Sequence, residues 1–210
     1  MKQESPRRGE IIECALALAQ SEGFAAFTVK RIAECVGFTE AALYRHFRGK
    51  ADLLAAMLDW LGEKFIEPVR AISEDEGSSP ESRLGAILAR HFALVRTQGG
   101  LPIFILAEAA ASRDPQLLAR TRSIFLTYRS LVADLLCRAG AADRRRAEDL
   151  ALAFIGAPAA LAIGLRLTGD PEFGSGAEET VGPWLEEALF KAPSPGKAAT
   201  ESSRKEEAPR

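Results

Sequence analysis

The chain has 210 residues, a length that fits one or two domains with a buried core. Its 27 basic and 29 acidic side chains give a formal net charge of -2, which argues against a polycation that coats nucleic acid indiscriminately. The charge is uneven, because residues 1–50 contain eight Lys or Arg against six Glu and the remainder contains 19 basic against 23 acidic side chains. Any basic surface is therefore expected to be local and N-terminal.

The three cysteines, Cys14, Cys35 and Cys137, match no CxxC or metal-ligand spacing. Their odd number favours a reducing compartment, and we interpret them as small apolar fillers in preference to a redox switch. The first ten residues lack the apolar stretch of a signal peptide. We therefore expect a cytoplasmic protein without a metal or cofactor.

Apolar residues recur at helical spacing along the whole chain, and no segment alternates as a strand would. In the first predicted helix, they follow the i, i+3, i+4, i+7 pattern from Ile12 and stop near Gly23. The uncharged apolar run 150–165 is about one turn short of a bilayer span and has Pro158 at its middle. The sequence thus predicts an all-α protein in which this run is a helix buried in protein, without a membrane segment.

Two short helices are predicted after the first one. Thr28 is a suitable N-cap for the second helix, which ends at Gly37, and Thr39 is a suitable N-cap for the third. In the third helix, Leu43 and Phe47 lie on one side at i, i+4. Two short helices joined by a glycine-containing turn are typical of a DNA-binding helix-turn-helix, although an ordinary helical hairpin has the same spacing.

The outward face of the third helix favours the DNA-binding interpretation. If Leu43 points inward, then Ala41, Ala42, Tyr44 and Arg45 point outward. Two small alanines allow the helix to enter a major groove, while the tyrosine and the arginine can reach phosphates or base edges.

Residues 28–50, TVKRIAECVGFTEAALYRHFRGK, and the following ADLL resemble the signature of the tetracycline-repressor (TetR) family. The resemblance is strong over residues 8–55, while the rest of the chain agrees in length and helical layout. The positions that match the family pattern are Thr28, Ile32, Ala33, Val36, Gly37, Leu43, Tyr44, His46, Phe47 and Lys50.

The resemblance implies two sets of DNA contacts. The residues implied to hold phosphates are Thr28, Tyr44, His46 and Lys50. The residues implied to face the bases or the rim of the groove are Thr39, Glu40, Ala41, Ala42 and Arg45.

Two positions depart from the family pattern, and two of the implied DNA contacts leave alternatives open. Gly49 stands where the family often has a serine before the lysine, and glycine is still an acceptable N-cap. Glu40 stands where a lysine or a neutral residue is common, so it either accepts a hydrogen bond from a cytosine amino group or has a solvent-facing or intramolecular role. His46 either donates to a phosphate, which the family position favours, or fills the turn.

The domain organisation follows from these patterns. Residues 1–55 are predicted to form the helix-turn-helix domain, and residues 56–191 a helical bundle for ligand binding and dimerisation. Residues 192–210 are rich in Pro, Ser, Ala and charge, so we expect a disordered tail.

A single short recognition helix needs a second copy to bind DNA tightly, so we expect a homodimer. Small residues repeat every four positions in the penultimate predicted helix, which allows a close approach of backbones, and the last helix adds two large apolar residues. The family resemblance places the dimer interface in the last two helices, residues 147–190. The predicted interface residues are Gly156, Ala160, Gly164, Trp184 and Leu185. The alternative is that this strip packs within the monomer.

The middle helices contain several aromatic residues together with a histidine and a glutamate on otherwise apolar stretches. Each fits a core position when considered alone, but together they can line an apolar pocket with a few polar groups. The predicted pocket residues are Trp60, His91, Phe92, Phe104, Glu108, Phe125 and Tyr128.

The predicted function is a transcriptional regulator that binds a palindromic operator in double-stranded DNA and, as a repressor, is released by a small, partly apolar effector. An activator is an alternative, and so is a DNA binder whose body docks a protein partner. The stretch TEAALYRHF also resembles nucleoid-associated division regulators of that kind. An enzyme is not expected, because the sequence has no nucleophile elbow, phosphate loop, zinc spacing or paired-carboxylate motif.

Overall fold

The structure is a computed structural model that describes residues 6–140 and 143–190, with side chains described over residues 7–140 and 143–183. The described residues form helices and no strand, which confirms the all-α prediction. The elements are α1 (Pro6–Ser21), α2 (Val29–Val36), α3 (Glu40–Tyr44), α4 (Lys50–Leu61), a π-helical turn (Gly62–Ile66), α5 (Glu67–Glu74), α6 (Pro80–Gln98), α7 (Leu101–Ala111), α8 (Pro115–Arg138), α9 (Arg144–Thr168) and α10 (Ala177–Phe190). The predicted tail, 192–210, lies outside the described residues.

Two apolar cores organise the chain. The head core joins α1, α2 and α3 to α4, and it also takes in Ile105 of α7 and Leu117 of α8. The body core is built from α4 to α6, α8 and α9 around residues such as Phe92 and Phe154. The predicted domain boundary at residue 55 falls inside α4, a helix that contributes to both cores. The head and the body are therefore in direct contact through α4 and α7, and the domain limits stay a prediction.

A continuous helical segment runs from the head into the body through α4, the π-helical turn and α5. At the turn the Glu67 amide donates to the carbonyl of Gly62, five residues earlier. Pro68 follows immediately, and a proline has no N–H and its ring collides with the carbonyl four residues before it, here that of Lys64. That carbonyl instead accepts from Nη2 of Arg90 on α6 at 3.2 Å. The irregular turn thus has a local cause and a tertiary partner.

Helix α9 encloses the apolar run noted in the sequence but begins earlier, at Arg144, with Asp143 Oδ1 accepting from the Arg146 amide at 2.9 Å. By length and composition alone α9 could cross a membrane, and one third of its most apolar window is buried. The buried side packs on α6 and α8, as expected for a helix of a protein core. The opposite side leaves Leu152 and Ile163 nearly half exposed, so α9 is buried against the protein on one side only.

Candidate DNA-binding site

The first feature of the site is the pair of capped helices α2 and α3. Thr28 Oγ1 accepts from the Arg31 amide at 3.3 Å, and Thr39 Oγ1 accepts from the Ala42 amide at 3.2 Å. Gly37 ends α2 with φ of 75°, a left-handed conformation that glycine adopts without strain. These contacts confirm the predicted caps and fix the angle at which α3 leaves the turn.

The second feature is the exposed face of α3. Leu43 is fully buried and Phe47 is 1% exposed, whereas Tyr44 is 52% exposed and Arg45 is also exposed. Glu40, Ala41 and Thr39 are exposed and Ala42 is half-buried. The helix ends at Tyr44, one residue before its C-cap Arg45, and the Phe47 amide still donates to the Leu43 carbonyl at 3.0 Å. The outward face is therefore the predicted one, while contact of its residues with DNA stays a prediction.

An arginine that sequence reasoning missed supports the end of this motif. Arg8 on α1 donates from Nη1 to the His46 carbonyl at 2.8 Å, and its guanidinium lies 4.1 Å from the centre of the Phe47 ring. His46 is half-buried and stacks on Phe38, with ring centres 6.3 Å apart. The histidine thus fills the turn and still has an accessible edge, which fits both roles considered for it.

The start of α4 is the third feature. Gly49 provides no side-chain cap, and Asp52 Oδ2 instead accepts from the Arg48 amide at 3.2 Å. The carboxylate of Asp52, in the first turn of α4, thus provides a side-chain contact at the start of this helix, where Gly49 has none. Lys50, which follows Gly49, forms an ion pair with Glu108 of α7, with its Nζ 2.7 Å from Oε1 of Glu108. Its ammonium also lies 5.7 Å from the centre of the Phe27 ring.

This ion pair brings together two residues that the sequence analysis had assigned to different sites. Glu108 was predicted to line a ligand pocket, and Lys50 to hold a phosphate. In the structure their side chains are 29% and 45% exposed and neutralise each other at the junction of head and body. No local sequence signal joins them, because the pair depends on the packing of α7 against α4.

Two other predicted pocket residues, His91 and Tyr128, meet in the body core. His91 Nδ1 lies 2.9 Å from the Tyr128 hydroxyl, and the Phe65 ring centre lies 5.0 and 4.9 Å from those of the two residues. Burial lowers the pKa of His91 to about 4 and raises the pKa of Tyr128 well above its usual value. The imidazole is therefore neutral at pH 7 in this environment.

The remaining pocket residues are dispersed. Phe92 is buried in the body core, and Trp60 is half-buried against both cores. Phe104 is half-buried beneath the guanidinium of Arg166, which lies 5.7 Å from its ring centre, and Phe125 is 38% exposed. The structure thus brings His91 and Tyr128 together and places Phe125 at the surface, and a shared pocket for the seven residues stays a prediction.

Of the predicted dimer residues, Gly156 and Ala160 lie on the exposed side of α9. Gly164 lies against Phe173, since a Cβ at this glycine would be 2.1 Å from the Phe173 ring. That contact fits the alternative interpretation, in which part of the strip packs within one chain. The side chains of Trp184 and Leu185 lie outside the described residues.

Exposed apolar residues that were not among the predicted interface residues accompany this strip. On α9, Leu152 and Ile163 share the side of Gly156 and Ala160, because spacings of four, eight and eleven residues return to one helix face. On α8, Phe125 and its neighbours Leu118 and Leu126 are also exposed.

Within the described residues, no group of three or more His, Cys, Asp or Glu side chains is placed to hold a metal ion.

The exposed α3, the capped turn and the supporting α1 define a helix-turn-helix DNA-binding protein. Residues 11–57 match the family described as "Bacterial regulatory proteins, tetR family". The nucleoid occlusion factor SlmA of Aliivibrio fischeri is 30% identical over 141 residues, which cover 65% of this chain and 71% of the relative. The chain belongs to the TetR family and is a DNA-binding transcriptional regulator, not an enzyme.

Solved structures show the same fold. A TetR transcriptional regulator from Legionella pneumophila superimposes with a TM-score of 0.71 at 22% identity, over 90% of this chain and all of that one. AibR in complex with isovaleryl coenzyme A and operator DNA superimposes with a TM-score of 0.69 at 22% identity, over 88% and 98% of the two chains.

Proposed function

We propose that the protein is a cytoplasmic homodimeric repressor that binds a palindromic operator through α3 and is released by a small, partly apolar effector. The observation that carries the DNA-binding part is the outward face of α3, where Tyr44 and Arg45 project beside the small side chains of Ala41 and Ala42. A helix of five residues reaches only a few base pairs. Two copies related by two-fold symmetry would read two half-sites, which is why a palindrome is expected.

The exposed apolar face of α9 supports the homodimer. Leu152 and Ile163 flank Gly156 and Ala160, so large side chains surround a strip where two backbones can approach closely. Exposed apolar patches of this kind commonly mark protein interfaces. Ile163→Glu should therefore give monomers in light scattering, whereas the matched change Ala89→Glu, at an exposed position of α6, should leave dimers.

The route from effector to DNA is proposed to be the helical segment from α4 to α5. It begins at Lys50 in the head and ends at Glu74 in the body, so a ligand that shifts its body half would change the separation of the two α3 helices. A coupling of about 1–3 kcal/mol between the sites is typical of such linkage. The neighbour AibR is described with both a coenzyme A thioester and operator DNA, which supports an effector-controlled regulator of this fold.

The operator is tested by footprinting the purified protein on the DNA upstream of its own coding region. The proposal expects an inverted repeat, protected by two protomers, and transcription from that promoter that is reduced by the protein in vitro. Addition of candidate apolar acids or their thioesters should then restore transcription. Protection without symmetry, or increased transcription, would contradict the palindrome or the repressor role respectively.

The identity to SlmA favours a second candidate function, nucleoid occlusion with a protein partner docked on the body. Chromosome-wide mapping of binding sites separates the two candidates. A promoter regulator should occupy one or a few intergenic sites, whereas a nucleoid occlusion factor should occupy many sites spread over the chromosome, including sites within genes. Division across unsegregated chromosomes in a deletion strain would add support to the second candidate.

A further inference from the structure

The ion pair between Lys50 and Glu108 joins the first residue of α4 to the last turn of α7. On either side of Glu108, Ile105 and Ala109 are fully buried in the head core, which holds this stretch of α7 against α4. The carboxylate is thus kept at the position where the family resemblance implies that Lys50 binds a DNA phosphate.

Other carboxylates on α4 and at the start of α8 are already engaged within the chain. Asp52 accepts from the Arg48 amide, and Asp114 caps α8 by accepting from the amides of residues 116 and 117. Asp59 pairs with Arg120 at 2.5 Å. These groups border an open cleft of about 430 Å³ or lie next to it. Glu108 differs from them because its partner is a cation of the predicted phosphate-binding set.

We propose that Glu108 lowers the affinity for DNA by competing with a backbone phosphate for Lys50. The inference rests on the proposed DNA-binding function and on the phosphate contact of Lys50 that the family resemblance implies. A phosphate that approaches Lys50 must displace the carboxylate or share the ammonium with it, and the remaining negative charge then repels the DNA. Glu108, at the junction of head and body, therefore lowers the affinity for DNA without binding DNA itself.

The test compares Glu108→Gln with Asp59→Asn, which removes the same charge from the neighbouring pair with Arg120. Binding is measured by fluorescence anisotropy on a labelled duplex from the protein's upstream region and on a random-sequence duplex at low salt. Glu108→Gln should tighten binding to both duplexes by about two- to fivefold, the range expected for an exposed ion pair, and the gain should shrink as salt rises. Asp59→Asn should change the affinity much less.

A double variant makes the test specific. In a Lys50→Gln background, Glu108→Gln should change the affinity no more than Asp59→Asn does, because the competition has been removed and only the general repulsion between one carboxylate and the DNA is left. Equal effects of Glu108→Gln and Asp59→Asn, or a full effect that persists without Lys50, would overturn the inference while the DNA-binding function stands. Absence of binding by the wild-type protein to either duplex would overturn the proposed function and this inference together.

Discussion

Lowering the pH should destabilise the protein through His91. The imidazole is buried beside Phe65 and Tyr128, and burial lowers its pKa from 6.5 to about 4. The unfolded chain therefore binds a proton at a higher pH than the folded chain. The contribution of His91 to stability is complete above pH 6.5 and is lost as the pH falls from 6.5 towards 4. The difference between the two pKa values corresponds to about 3 kcal/mol.

The assay is urea unfolding followed by circular dichroism from pH 8 to pH 4 at one fixed protein concentration, because the stability of the proposed dimer would depend on concentration. The control is His91→Asn, which keeps a polar atom near the position of Nδ1 but does not titrate. Acidic residues titrate in both proteins, so their effect cancels in the comparison. The wild-type protein should lose about 3 kcal/mol more than the variant between pH 6.5 and pH 4. Parallel pH profiles would refute the assignment of a buried neutral histidine.

Two further predictions concern packing and thiol chemistry. Gly100→Ala should lower the free energy of unfolding in urea by about 2–4 kcal/mol, because Gly100 has φ of 73° and the new Cβ would lie 2.4 Å from the Cβ of Ala162. A decrease below about 1 kcal/mol would contradict this close approach. Burial, together with the neighbouring Cys35, raises the pKa of Cys14 to about 11. In a Cys137→Ser background, an aromatic disulfide reagent at pH 8 should therefore modify the exposed Cys35 first and Cys14 much more slowly. Equal rates of modification at Cys14 and Cys35 would contradict the raised pKa of Cys14.

The head could be predicted in detail because its signals are local. Thr28 and Thr39 each cap the helix that follows by accepting from an amide three residues later, and Gly37 ends α2. The spacing of Leu43 and Phe47 defines the inner face of α3. Each of these features depends on residues within a few positions along the chain. The same locality explains why the resemblance to a family was strongest there.

The body was predicted less well because its contacts join distant segments. The pairing of Lys50 with Glu108 depends on how α7 packs against α4, and the approach of Phe173 to Gly164 depends on the loop after α9. An aromatic residue has the same sequence signature in a core, a pocket or an interface. The exposure of Phe125 therefore became visible only in the folded chain.

Binding of Arg45→Ala to DNA tests the central claim most directly. Arg45 is exposed at the end of α3, and the matched control Arg138→Ala removes an exposed arginine from the far end of α8. On a labelled duplex from the protein's own upstream region, Arg45→Ala should weaken binding about tenfold or more, while Arg138→Ala should leave it unchanged. If the two variants bind like the wild-type protein, or are weakened equally, α3 is not the element that reads the operator.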